Sequence, residues 1–79
     1  MLYLVMHMML RIRDLREDSD LTQKDISKII NCDQSLYSKY EREERMLPLH
    51  LAEKLADYYG VSVDYLLGRT NIKTPYPKK

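Results

Sequence analysis

Glycine and proline are scarce, two and three residues among 79, and no long stretch alternates apolar with polar residues beyond the first few positions. Strand-and-turn architectures depend on both features, so an all-α bundle is expected. Two glycines also cannot supply a glycine-rich phosphate loop. Neither a Ser/His/Asp set nor a shielded pair of carboxylates can be assembled, so no enzyme is expected. The single cysteine, Cys32, permits no internal disulfide and fits a reducing cytoplasm. His7 and His50 have no metal-ligating partners at helical spacing, so neither a metal nor another cofactor is expected, and no small-molecule ligand is evident. The apolar run MLYLVMHMML ends at residue 10, too short to span a bilayer, and it lacks the basic start and small-residue cleavage site of a signal peptide.

Excess charge is missing as well. The net charge is +1, and its distribution is uneven: residues 22–42 carry four basic and three acidic side chains, residues 43–67 two and five, and residues 68–79 four and none. A strong non-specific attraction to nucleic acid is therefore not expected. With 44% apolar and 32% charged residues in 79, the chain reads as one soluble domain without a separate ligand-sensing unit.

What is present is concentrated in residues 21–42, LTQKDISKIINCDQSLYSKYER. Thr22, with Asp25 three residues on, approximates a capping box and starts a helix. Ile26, Ile29 and Ile30 then form one apolar stripe facing a core. Asn31 is suited to the left-handed conformation that ends a helix, so a turn is expected over residues 30–33, with Asp33 capping a second helix over residues 34–42. On that helix, at about 100° per residue, Gln34, Ser35, Ser38, Lys39 and Arg42 fall within an arc of roughly 140°. Leu36, Tyr37 and Tyr40 occupy the opposite side. The outward set carries the chemistry that addresses base edges and phosphates: glutamine pairs bidentately with adenine, serine with several bases, lysine and arginine with guanine or the backbone. The same set also describes an ordinary solvated helix face.

These residues resemble the helix-turn-helix of the phage repressor and Cro family, also called the XRE family. The pattern is carried by Leu21, Thr22, Gln23, Ile26, Ser27, Ser38, Tyr40, Glu41 and Arg42. It continues outward to RIRDLR at residues 11–16 and LADYYGVSVDYLLG at residues 55–68. The resemblance implies a compact five-helix, lambda-repressor-like DNA-binding domain whose second motif helix lies in the major groove. By it, Gln34, Ser35 and Lys39 match base-contacting positions, while Gln23, Thr22, Ser38 and Arg42 match backbone or supporting contacts. It also implies a structural ion pair between Arg16 and Glu41. Cys32 falls where the family has a small apolar residue and is expected to be buried. The sequence departs from the pattern at Asn31 and Glu43, where the family usually has glycine. Glu43 and Glu44 place negative charge near the path of a phosphate. Tyr37 replaces an aliphatic residue; its ring either packs in the core, leaving its hydroxyl in need of a partner, or reaches DNA.

Around the motif, Met8 or Met9, Ile12 and Leu15 are expected to form the buried stripe of a first helix. Residues 1–7 form an apolar extension, and Leu2, Tyr3, Leu4 and Val5 are candidates for pairing with a second copy. Residues 43–47 read as a loop. Pro48 stands at the first position of a helix carrying Leu51, Ala52, Leu55, Ala56 and Tyr59 inward and stopped by Gly60. Ser62 caps a last short helix ending at Gly68. Leu66 and Leu67 there either close the core or, as the resemblance implies, form a dimer contact. Residues 8–68 are thus the expected domain, and residues 69–79 a mobile basic tail. The expectation is a cytoplasmic, dimeric, sequence-specific regulator of transcription, acting as a repressor on double-stranded DNA at a palindromic operator. The alternative is a protein-interaction module, antitoxin or adaptor, on the same fold.

Overall fold

A computed structural model describes residues 10–74 of the chain, and among these it contains five helices and no strand. They are α1 (Ile12–Asp18), α2 (Gln23–Ile29), α3 (Gln34–Glu41), α4 (Leu49–Tyr59) and α5 (Val63–Leu66). No helix among the described residues is long and apolar enough to cross a membrane. The expected pairing of residues 1–7, the placing of Met8 or Met9, and the ends of the basic tail at Lys78 and Lys79 lie outside the described residues.

Helix starts follow from local chemistry. The Thr22 hydroxyl accepts from the Asp25 N–H at 3.0 Å, and the Asp25 carboxylate accepts from the Thr22 N–H at 3.0 Å, which completes the capping box. Asp33 caps α3 by accepting from the Leu36 N–H at 3.1 Å, and Ser62 caps α5 by accepting from the Tyr65 N–H at 2.9 Å. Pro48 is the N-cap of α4 rather than its first helical residue, so the helix begins one residue later than expected, at Leu49. The proline φ of −67° with extended ψ suits the entry, and the proline carbonyl accepts from Leu51 and Ala52.

Helix ends share one device. After each helix a residue of positive φ reverses the chain, and these are Asp20, Asn31, Glu43, Gly60 and Gly68. The next amide then bonds back to the carbonyl five residues earlier: Leu21 to Arg16, Cys32 to Ser27, Glu44 to Lys39, Val61 to Ala56 and Arg69 to Asp64, all at 2.8–3.1 Å. This is the Schellman arrangement, which satisfies carbonyls that a helix end leaves orphaned. Three of the five reversals are made without glycine, so two glycines suffice for the five helices of the described residues. Leu21, Cys32 and Val61, each just past a reversal, pack on the core.

That core is built from Ile12, Ile26, Ile30, Tyr37, Tyr40, Leu51, Leu55, Leu66 and their neighbours. Each fully buried aliphatic side chain contributes about 1.5–3 kcal/mol. Ile29 departs from the expected stripe and is 45% exposed, while Ile26 and Ile30 are buried. The geometry explains this: Ile29 lies about 100° around the helix from Ile30 and marks the rim of the apolar arc. Cys32 is half-buried rather than buried.

The C-terminal region also differs from expectation. Residues 69–73 do not leave the domain at Gly68. Ser62 donates its N–H to the Lys73 carbonyl at 2.7 Å and its hydroxyl to the Ile72 carbonyl at 3.2 Å. The Arg11 guanidinium donates to the carbonyls of Tyr65 (2.7 Å) and Thr70 (2.8 Å) and to Asn71 Oδ1 (2.9 Å), and lies 4.1 Å over the Tyr65 ring. The start of the basic tail is therefore pinned across α5 and the entry to α1.

Candidate nucleic-acid interface

The turn between α2 and α3 is short because Asn31, with φ of 57°, reverses the chain within one residue and Asp33 caps the next helix at once. Lys54 Nζ of α4 reaches the Ile30 carbonyl at 3.3 Å and holds the turn from below. The two helices of the motif are thus fixed by the reversal at Asn31, the Asp33 cap and Lys54 before any side chain within α3 is considered.

The inward face of α3 carries Tyr37 and Tyr40, both buried, with Leu36 half-buried beside them. At its C-terminal end Glu41 turns inward, with 3% of its side chain exposed. Its carboxylate accepts from Arg16 Nε (2.7 Å), Arg16 Nη2 (3.1 Å) and Gln23 Nε2 (3.0 Å). Arg16 also donates Nη1 to the Leu21 carbonyl at 2.9 Å. One carboxylate on α3 therefore ties α1 and the first residue of α2 together. Burial by itself pushes the Glu41 carboxyl up, but the Arg16 and Gln23 donors, with the Tyr37 hydroxyl close by, outweigh it and hold it below the usual carboxylate range.

Tyr37 is a core residue: its ring is fully buried. Its hydroxyl lies close to Glu41 without completing a hydrogen bond, and the Tyr59 hydroxyl is likewise buried without a protein partner. Burial raises both phenols, with the Glu41 charge adding to it, and Tyr59 is pushed up to about 12.

On the outward face Gln34, Ser35, Lys39 and Arg42 are exposed and Ser38 is half-buried. Three of them are engaged within the chain. The Ser35 hydroxyl donates to the Asp33 carboxylate of the cap at 3.1 Å. Arg42, the C-cap residue of α3, donates Nε and Nη2 to the Glu44 carboxylate at 2.8 and 3.2 Å and Nη1 to the Ser38 hydroxyl. Thr22 is exposed but committed to its capping box, and Gln23 is held by Glu41. The sequence-selected residues thus share one surface of the motif. Leu66 does not join a second surface, since it is fully buried in the chain's own core; of the two leucines only Leu67 is half-buried.

Sequence reasoning passed over the contacts of Arg11 and the Arg42–Glu44 pair; it placed Tyr59 inward but not the burial of its hydroxyl. Arg11 joins partners 54 to 60 residues away, and no local pattern announces such contacts.

Comparison with known proteins agrees with this geometry. The helix-turn-helix family profile matches residues 12–66, from the start of α1 to the end of α5. Among curated proteins, the chain is 40% identical over 65 residues to the uncharacterized HTH-type transcriptional regulator YobD of Bacillus subtilis, covering 82% of this chain and 58% of that protein. It is 38% identical over 64 residues to the cryptic phage CTXphi transcriptional repressor RstR of Vibrio cholerae, covering 78% and 58%. It is 34% identical over 62 residues to the HTH-type transcriptional regulator ImmR of Bacillus subtilis, covering 78% and 49%. The chain thus spans about half to three fifths of the length of these relatives. No solved structure gives a significant match. With a match running through all five helices, the chain belongs to the XRE-type helix-turn-helix family, that of the phage repressors and Cro.

Proposed function

We propose that the protein is a sequence-specific DNA-binding regulator of transcription that represses by occupying a promoter. The observation that carries this reading is the division of α3. Its inner face is locked by Tyr37, Tyr40 and the Glu41 network, while its outer face presents Gln34, Ser35 and Lys39 to solvent. A helix held rigidly with polar, flexible side chains outward suits the major groove. Gln34, Ser35 and Lys39 then read base edges, and Gln23, Thr22, Ser38 and Arg42 lie along the phosphates. RstR, named as a repressor, supports the direction of the effect.

Two copies would read a palindromic operator with half-sites about one helical turn apart. Dimerisation supplies the affinity that a net charge of +1 does not. Leu67 is the leucine of the pair with surface to offer to that contact. The reading as a protein-interaction module draws on one observation, the neutralisation of Arg42 by Glu44.

Selection of bound duplexes from a random pool tests the proposal. An enriched two-fold symmetric motif is expected, and Gln34→Ala or Lys39→Ala should each weaken binding to it by about 1–3 kcal/mol. Absence of any enriched motif, or full affinity in both variants, would overturn it in favour of the interaction module.

A further inference from the structure

Arg42 stands on the DNA-facing side of α3, yet its guanidinium is already occupied by a carboxylate of the same chain. We propose that Glu44 competes with DNA phosphate for Arg42 and thereby holds down the protein's affinity for DNA regardless of sequence. This inference rests on the DNA-binding reading above.

The backbone builds the contact. Glu43 adopts φ of 59°, and the Glu44 amide closes on the Lys39 carbonyl at 2.9 Å, so the chain folds back over the last turn of α3. The residue at the equivalent place after α1, α2 and α4 is Leu21, Cys32 or Val61, and each packs on the core. After α3 the same place holds Glu44, which stays at the surface beside Arg42. The carboxylate takes Nε and Nη2 of the guanidinium in the fork geometry that a phosphate would use, and Ser38 takes Nη1. Both side chains are about half exposed, at 52% and 54%. An ion pair so exposed adds little to folding. Its consequence is electrostatic: Arg42 and Glu44 together present no net charge to the DNA until Glu44 releases the guanidinium.

The gain on removing Glu44 cannot exceed the strength of the pair it breaks, and counterion release sets the most that a freed Arg42 can add. Each phosphate neutralised steepens the dependence of log affinity on log salt by about 0.9, which corresponds to about fivefold in affinity at 0.15 M salt. Because a phosphate contact carries no sequence information, the gain should be the same on any duplex.

The test uses the full chain and its Glu44→Gln, Arg42→Gln and double variants, titrated by fluorescence anisotropy onto two labelled duplexes of unrelated sequence over a range of salt. Glu44→Gln keeps the backbone reversal, and a thermal melt for each variant verifies the fold. The expected result is that Glu44→Gln binds both duplexes up to about fivefold more tightly per protomer, with a steeper salt slope, and that it changes nothing when Arg42 is already Gln. An equal gain in both backgrounds would mean that Glu44 merely repels DNA, and no gain would mean that the pair does not compete; either overturns the inference. Wild-type protein that binds no duplex even at low salt overturns the DNA-binding reading as well, whereas wild-type binding with an inert Glu44→Gln overturns the inference alone.

Discussion

Replacing Glu41 by Gln should be the most damaging conservative change in this domain. The substitution preserves shape but removes the charge that balances Arg16, whose side chain is only 13% exposed. Arg16 would keep its bond to the Leu21 carbonyl, and the new amide oxygen could accept at most two of the three donors now served by the carboxylate, leaving its own NH2 facing the guanidinium. Breaking a buried pair from one side costs about 3–5 kcal/mol, and the residual exposure of Arg16 favours the lower end, about 3 kcal/mol. A chain of this length has about 4–12 kcal/mol in total. The variant should therefore lose about 12–24 °C in melting temperature, since each 1 kcal/mol is worth about 4–8 °C at this size. Urea and thermal unfolding followed by circular dichroism read this directly. Arg16→Met with Glu41→Met supplies the control, because a buried pair replaced by apolar groups of similar volume is often close to neutral. The double variant should recover most of the loss. A single variant within about 1 kcal/mol of wild type, or a double no better than the single, would refute the assignment of this pair as the clamp between α1 and α3.

Three further outcomes follow from the same geometry. Glu43→Gly should raise the unfolding free energy by about 1 kcal/mol, because glycine adopts the left-handed reversal at φ of 59° without the penalty of a side chain; a destabilised variant would show that the penalty is offset locally. Tyr37→Phe removes a buried hydroxyl that lacks a partner and should leave stability unchanged or raise it by about 1 kcal/mol, whereas a loss of more than about 1 kcal/mol in urea titration would mean that the hydroxyl is satisfied. Acid should weaken the fold, because Glu41, Asp25 and Asp33 all have carboxyls held below their ordinary values, the latter two by their helix-capping amides. A depressed folded pKa contributes stability that is complete above the unfolded value and lost as pH falls through the folded one. The loss should therefore set in below about pH 4. A melting temperature flat from neutral pH to well below that point would contradict it.

The amino-acid sequence by itself determined what depends on neighbours within a turn or two of helix. The caps at Thr22, Asp33 and Ser62, the reversals at Asn31 and Gly60, and the division of α3 into a tyrosine side and a glutamine–serine–lysine side are all local. They rest on hydrogen bonds spanning three to five residues and on an angular period that any helix imposes. The family pattern made the pairing of Arg16 with Glu41 an expectation, although 25 residues separate them. Where periodicity alone was followed to the rim of a stripe, it placed Ile29 inside, because it cannot say where a neighbouring helix stops covering the surface. Only the tertiary structure decided the rest. Leu66 is core and Leu67 is half-exposed because α5 seats against the entry to α1, where the Arg11 amide bonds to the Leu66 carbonyl at 2.9 Å. Residues 70–73 are part of the domain because Arg11 and Ser62 reach them, a contact between the two ends of the chain that no periodicity encodes. The occupation of Arg42 by Glu44 lay between these limits. Both residues were legible, but the left-handed reversal at Glu43, where the family pattern has glycine, and the direction in which the arginine turned were settled by the folded helix end.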